Sequence, residues 1–230
     1  MRLFLKHNGL SLAFGAIFLL ALGFQALTGW QEFNNDEVAH AQLAGDRPDT
    51  ISFGRYLTSS DFGQAVMENW QSEYLQFSLF ILGTIWLLQR GSPESKELDK
   101  AGTESDHEQQ VGQHAGSRSP LWARVGGART FVYSNSLLLV MSAIFLGSWF
   151  AHSVTGWTDF NAEQVQHDQP GVSWLGYLGS ADFWQTTLQN WQSEFLAVGS
   201  MAILTVYLRQ RGSPESKPVG APHDATDVEG

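Results

Sequence analysis

Residues 9–29 read GLSLAFGAIFLLALGFQALTG, and residues 136–156 read SLLLVMSAIFLGSWFAHSVTG. Neither stretch contains Asp, Glu, Lys or Arg. A helix of about 20 consecutive apolar residues is long enough to cross the hydrocarbon core of a membrane. Both stretches therefore predict membrane-spanning helices, and Trp30 and Trp157 follow them as expected for aromatic anchors at the membrane interface.

Two shorter apolar stretches occupy residues 74–88 and 195–208. By themselves they would also suit buried core helices. Trp70 and Trp191 precede them, however, and Arg90 and Arg211 follow them, a pattern typical of the two ends of a membrane helix. Counted between these residues, each helix is about 20 residues long, so we predict further spans at about 70–90 and 191–211.

The two halves of the chain repeat each other. Residues 2–40 match residues 129–167 at an offset of 127, and residues 51–96 match residues 172–217 at an offset of 121. Such self-similarity predicts two units of the same fold. Because the copy of the first apolar stretch lies in mid-chain, we interpret residues 9–29 as a retained span rather than a cleaved signal peptide.

The distribution of basic residues predicts the topology. Segments 30–69 and 157–190 contain only two Lys or Arg side chains between them, Arg47 and Arg55, whereas the other polar segments are rich in Lys and Arg. Cytoplasmic loops carry the excess of Lys and Arg, so both termini are predicted to be cytoplasmic and the two acidic segments to lie outside. With two spans per unit, the repeats are parallel.

These observations predict an all-α membrane protein with four transmembrane helices, arranged as two parallel tandem two-helix repeats with extracytoplasmic amphipathic helical extensions. We expect the following organisation: a first unit at 1–96, a disordered cytoplasmic linker at 97–127, a second unit at 128–217 and a disordered tail at 218–230.

Capping signals predict where the shorter helices begin and end. Asp61 and Asp182 are each followed three residues later by Gln, as in a capping box. Each helix is expected to run from that aspartate to Arg90 or Arg211 and to stop at the glycine that follows.

Two polar clusters recur in both units and are the candidate functional residues. The first is Asn-Trp-Gln-Ser-Glu, with Asn69 and Glu73 in one copy and Asn190 and Glu194 in the other. Each glutamate would lie just inside the membrane, where ionisable groups relay protons, bind cations or pair with a partner. A contact with the wet interface and neighbouring loops is the interpretation we favour.

The second cluster pairs acids with histidines. Its core is Asp36 and His40 in the first copy and Glu163 and His167 in the second, preceded by Glu32 and Asp159. A spacing of four residues places each acid and histidine on one helical face. This arrangement permits a metal site or a pH-sensitive pair, but a solvated helix salt bridge is the interpretation we favour.

Composition excludes several functional classes. The net charge of −10 argues against a nucleic-acid partner, and the absence of cysteine excludes disulfides and thiolate-bound metals. The sequence contains no glycine-rich phosphate loop, nucleophile elbow or His-Glu-x-x-His helix. We therefore expect no cofactor, no metal and, on balance, no enzyme.

One feature suggests a family. The segment Asn-Trp-Gln-Ser-Glu-[Tyr/Phe]-Leu runs into an apolar helix and is followed by Arg-Gly-Ser-Pro-Glu-Ser-Lys in both copies. It resembles a family of uncharacterised bacterial integral membrane proteins known only as a domain of unknown function, with two tandem two-helix units. The resemblance implies a bacterial cytoplasmic membrane and no particular activity.

Three functional hypotheses follow. The first is a noncatalytic envelope or assembly component that contacts the lipid bilayer and either further copies of itself or an envelope protein partner. The second is a small transporter or channel that uses the paired carboxylates Glu73 and Glu194 at the repeat interface. The third is a membrane-attached, metal-dependent enzyme.

Overall fold

The computed structural model describes residues 2–228, with side chains from Leu3 onward. Across this range the chain forms helices and no strand, so the all-α prediction is confirmed for it. In chain order the helices are α1 Arg2–His7, α2 Gly9–Ala44, α3 Phe53–Tyr56, α4 Ser60–Gly83, α5 Leu121–Arg124, α6 Gly127–Ser134, α7 Ser136–Gln166, α8 Trp174–Leu178 and α9 Ala181–Tyr207.

The chain divides into two compact units by its internal contacts. The first comprises Met1–Val66 and Val154–Val172, and the second comprises Met67–Ser153 and Ser173–Gly230. Both units thus combine parts of the two sequence repeats, because helices α4 and α7 each contribute to both units. The repeat boundaries inferred from sequence identity stay a prediction.

Helices α2 and α7 are long and apolar enough to cross a membrane. Only 6% of the most apolar part of α2 and 17% of that of α7 is buried within the protein. Large side chains such as Leu10, Phe14 and Phe24 are exposed on α2. Such wide apolar exposure is typical of a surface that contacts lipid. Helix α2 also continues from the predicted end of its span at Gly29 to Ala44.

Helices α4 and α9 begin differently from the prediction. The serine before each helix, Ser59 or Ser180, accepts the backbone N–H three residues later at 3.2 Å. This is the contact of an N-cap residue. The prediction that Asp61 and Asp182 are the caps is therefore wrong, since both lie inside the first helical turn. There a negative charge interacts favourably with the positive end of the helix dipole.

The same two helices also end before the predicted positions. Helix α4 ends at Gly83 rather than Arg90, and α9 ends at Tyr207 rather than Arg211. Gly83 has low helix propensity and is followed by two β-branched residues, which weaken the helix further. At the end of α9, Arg209 donates to two carbonyl oxygens of the last turn at 3.1 and 3.3 Å, so it caps the helix from outside it.

Residues 90–96 and 211–217, which we call the repeated turns, adopt the same local conformation. The glycine of each has a positive φ, 85° at Gly91 and 83° at Gly212. A buried serine hydroxyl, that of Ser95 or Ser216, accepts a backbone N–H from six residues earlier at 2.9 Å. Lys217 is 1% exposed and donates to three carbonyl oxygens of the following tail. The repeated motif therefore closes a turn.

The tail that follows Lys217 contacts the first repeated turn. Thr226 accepts the backbone N–H of Gly91 at 2.9 Å, and Asp224 forms an ion pair with Arg90 at 3.2 Å. Residues 97–127 include a short 3-10 turn and α5. Disorder of this linker and of the tail stays a prediction, and residues 229–230 of the tail lie outside the described residues.

Candidate functional site

In the first unit, α2 holds the backbone of the segment that leads to α3. The side chain of Asn34 accepts the N–H of Ile51 at 2.8 Å and donates to its carbonyl oxygen at 3.0 Å. Trp30 lies one helical turn earlier and donates its indole N–H to the same carbonyl oxygen at 2.7 Å. We call this arrangement the amide clamp. It satisfies both backbone groups of Ile51 and fixes the loop against the helix.

Helix α7 forms a second amide clamp, also within the first unit. Asn161 bonds the N–H and the carbonyl oxygen of Val172 at 2.7 and 3.0 Å, and Trp157 donates to the same carbonyl at 2.7 Å. The indoles predicted to be interface anchors thus also hydrogen-bond to the protein backbone. Each clamp fixes the end of the following loop against the long helix, just before the next short helix begins.

Tyr56 lies at the end of α3 and is 3% exposed. Its ring packs against Phe33 and Phe62, with ring centroids 6.0 and 5.5 Å away. A side chain at Gly29 would overlap with the Tyr56 hydroxyl, so the glycine is what admits this ring. The hydroxyl bonds to Asp61, and burial together with this carboxylate raises the pKa of Tyr56 above its ordinary value.

An acidic recess of about 500 Å³ opens beside Tyr56 in the first unit. Four carboxylates line it, three from α2 and one from the first turn of α4: Glu32, Asp36, Glu37 and Asp61. Among the residues that the structure describes, no Lys or Arg lines it. Unopposed carboxylates in a concave surface create a negative potential that attracts cations, so the recess is complementary to a positively charged group.

Asp159 adds a titratable group to the first unit. Its carboxylate bonds to Ser60 and lies close enough to Asp61 and Tyr56 to interact with them electrostatically. Burial is the main cause that raises the pKa of Asp159 to about 6, and repulsion by Asp61 acts in the same direction. Its charge therefore changes close to neutral pH.

The two predicted acid–histidine pairs have different environments. Asp36 and His40 both line the acidic recess. Glu163 and His167 are instead exposed near the end of α7, with His167 Nε2 and Glu163 Oε1 4.0 Å apart, and the solvated helix pair that we favoured stays a prediction. Within residues 2–228, no group of three or more His, Asp or Glu side chains is arranged to hold a metal ion.

In the second unit, the Asn-Trp-Gln-Ser-Glu segments of α4 and α9 contact each other. Asn190 donates to the carboxylate of Glu68 at 2.6 Å, and Trp191 donates to Gln71 at 2.7 Å. Gln71 is fully buried. Burial raises the pKa of Glu68, while the bond from Asn190 opposes the shift. The motif therefore joins the two helices through side-chain hydrogen bonds.

The other predicted residues of this motif lie at the edge of that contact. Glu73 and Asn69 are exposed on α4, and Glu194 is half-buried on α9. Glu73 is close enough to Glu194 to experience its negative charge. The structure thus brings Asn190 into the helix contact and leaves Glu73 at the surface of the second unit.

The family of this chain is identified by a match over almost its whole length. A model described as "Domain of unknown function (DUF6766)" matches residues 1–228. The chain belongs to the DUF6766 family. The prediction of an uncharacterised family is therefore confirmed, and the match includes the linker as well as both repeats. No curated protein and no solved structure matches this DUF6766 chain.

Several residues of these sites were not predicted from the sequence of the DUF6766 chain, among them Tyr56 and Glu68. For Tyr56 a signal was present, because Tyr177 occupies the matched position in the second repeat and bonds to an aspartate in the same way, at 3.3 Å. For Glu68 no such signal exists, because the matched residue is Gln189. Its role depends on a contact between two helices that spacing along the chain does not predict.

Proposed function

We propose that this chain is a noncatalytic, four-span protein of the bacterial cytoplasmic membrane, whose acidic recess receives a cationic group from an envelope partner. The observation that carries the proposal is the recess itself, which is lined by four carboxylates and, within the described part of the chain, by no Lys or Arg. A partner that presents Lys or Arg side chains would neutralise this charge and gain charge-assisted hydrogen bonds.

The exposed apolar surfaces of α2 and α7 support the membrane location. They expose large apolar side chains over lengths that match a bilayer. The shorter helices α4 and α9 complete the four proposed spans. The distribution of Lys and Arg supports a location of the recess on the outer side, where it would be accessible to other envelope components.

The contacts of the Asn-Trp-Gln-Ser-Glu motif favour an assembly role over transport. Asn190 and Trp191 both bond to side chains of α4, and hydrogen bonds of this kind hold membrane helices together. Glu73 is exposed, whereas a carboxylate that relays protons or binds ions across a membrane is usually buried inside the helix bundle or in a water-filled cavity. A transport function of Glu73 and Glu194 is therefore the second proposal.

Binding of a defined cationic peptide tests the proposed role of the recess. We would place the protein in nanodiscs of zwitterionic lipid and titrate it with hexalysine. The wild-type protein should bind it saturably, and a triple variant with Glu32→Gln, Asp36→Asn and Glu37→Gln should bind at least about tenfold more weakly, the equivalent of about 1.4 kcal/mol.

A variant with the same change in charge provides the control. Glu163→Gln, Asp168→Asn and Asp46→Asn remove three carboxylates that do not line the recess, and binding should stay close to wild type. An equal loss in both variants would indicate attraction by net charge alone and would overturn the proposal. Unchanged binding in the recess variant would overturn it as well.

The proposed topology can be tested because the sequence contains no cysteine. Gly171→Cys and Gly116→Cys each introduce a single thiol into a polar segment. In spheroplasts, whose cytoplasmic membrane is intact, a membrane-impermeant maleimide should label the cysteine at position 171. It should leave that at position 116 unlabelled until the membrane is permeabilised. The reverse pattern would contradict the proposed orientation.

A further inference from the structure

The second unit contains an apolar groove between α4 and α9, which is separate from the acidic recess. It consists of two adjoining cavities of about 330 and 440 Å³ that share Gln76, Phe80, Glu94 and Val198 as lining residues. Most of the remaining lining is aliphatic or aromatic, and small side chains such as Ala202 leave room between the helices. Both volumes lie within the range of about 300–1,000 Å³ that is typical of small-molecule sites.

Two carboxylates line this groove at the repeated turns. Glu94 and Glu215 occupy matched positions of the two turns, line the same cavity and lie close enough to interact electrostatically. Among the residues that the structure describes, no Lys or Arg lines either cavity. The groove thus combines a long apolar wall with an uncompensated pair of acids.

We propose that the groove binds an amphipathic cation, with a single apolar chain between α4 and α9 and a cationic head group at Glu94 and Glu215. The apolar chain would gain the free energy of burial against Phe80 and Val198. The head group would neutralise the two carboxylates, which in its absence repel each other unless they share a proton.

The charge of the acid pair selects this ligand over an ordinary membrane lipid. An acyl chain alone could occupy the apolar wall, but a phosphate head group would be repelled by Glu94 and Glu215. Burial and the Glu215 carboxyl raise the pKa of Glu94, which agrees with a lining that includes no Lys or Arg among the described residues. Preference for positive over negative head groups is therefore the property to measure.

Binding of matched alkyl probes tests the proposal. The protein in zwitterionic nanodiscs would be titrated with decyltrimethylammonium and, separately, with decyl sulfate, and heats measured with empty nanodiscs would be subtracted. We expect saturable binding of the cation and at least about tenfold weaker binding of the anion. Equal affinity for the two probes would overturn the proposal and indicate an unselective lipid groove.

Two pairs of variants locate the site. Glu94→Gln with Glu215→Gln should weaken binding of the cation at least about tenfold, whereas Glu97→Gln with Glu108→Gln removes two carboxylates outside the groove and should not. Ala202→Leu should fill the groove and reduce binding, whereas Ala143→Leu, on the exposed surface of α7, should not. If the double variant does not fold, the single substitutions Glu94→Gln and Glu215→Gln replace it, and full affinity in both would overturn the proposal.

Discussion

The side-chain amide of Asn34 bonds both the N–H and the carbonyl oxygen of Ile51, at 2.8 and 3.0 Å. It therefore replaces, for one residue, the pairing that a neighbouring strand would provide. The same contact occurs between Asn161 and Val172. In both cases an asparagine side chain, together with a tryptophan indole, joins a helix to the loop that follows it. The asparagine bonds both backbone groups, so it is a sensitive point of the first unit.

Replacement of Asn34 tests this contact. Asn34→Ala should lower the free energy of unfolding by about 1–3 kcal/mol, because it leaves the backbone groups of Ile51 partly unsatisfied. Asn35→Ala changes the exposed neighbour and should have little effect. Denaturant unfolding of the purified protein in detergent measures both. Equal stabilities of the two variants would show that the clamp contributes nothing.

The fit between Gly29 and Tyr56 predicts a spectroscopic change. Gly29→Ala should displace the tyrosine ring into solvent and move the pKa of Tyr56 back toward its ordinary value. Absorbance at 295 nm during alkaline titration, compared with that of a Tyr56→Phe variant, isolates the signal of this tyrosine. Gly23→Ala is the control, since nothing lies within 4 Å of its added methyl group, and it should leave the titration unchanged.

Asp159 predicts a pH dependence of stability. Its pKa is raised from 3.8 to about 6 in the folded protein, so between these values the folded state binds more protons than the unfolded state, and stability falls as pH rises from about 4 to about 6. Asp159→Asn should remove this slope and stabilise the protein at pH 7.5 by about 1–2 kcal/mol, allowing for partial exposure to solvent.

Thermal unfolding at pH 4.5 and pH 7.5 measures the effect of Asp159. Glu163→Gln is the matched control, because that glutamate is exposed and should leave the slope as it is in the wild type. A slope that persists in Asp159→Asn would mean that another group is responsible.

Gly91 and Gly212 form a matched pair for the repeated turns. Both have positive φ, so Gly→Ala should cost about 1 kcal/mol of backbone strain at either position. At Gly91 the added methyl group would also overlap with the backbone of His223 in the tail, whereas at Gly212 nothing lies within 4 Å. Gly91→Ala should therefore be the more destabilising change.

Hydrogen exchange distinguishes the two effects of these substitutions. Gly91→Ala should accelerate exchange across residues 221–227, because it displaces the tail from the first turn, and Gly212→Ala should not. Equal acceleration in the two variants would indicate that strain in the turns, rather than contact with the tail, controls the order of this segment.

The amino-acid sequence by itself determined the features that depend on local pattern. Long uncharged stretches predicted helices at 9–29 and 136–156, and α2 and α7 contain them. Identical letters at constant offsets predicted matched local structures, and the repeated turns and the amide clamps have matched contacts. These features follow from helix length, side-chain type and neighbouring residues, all of which are present in a short window of sequence.

Only the tertiary structure decided which side chains meet. Helices α4 and α9 end at Gly83 and Tyr207, before the glycines of the repeated turns, so the capping pattern misplaced their ends. The recess gathers Glu32 from α2, Tyr56 from α3 and Asp61 from α4, which no spacing along the chain predicts. These residues are brought together by packing and by the hydrogen bonds of the Asn34 side chain to the backbone of Ile51. Such contacts join residues that are distant in sequence, so they exist only in the folded chain.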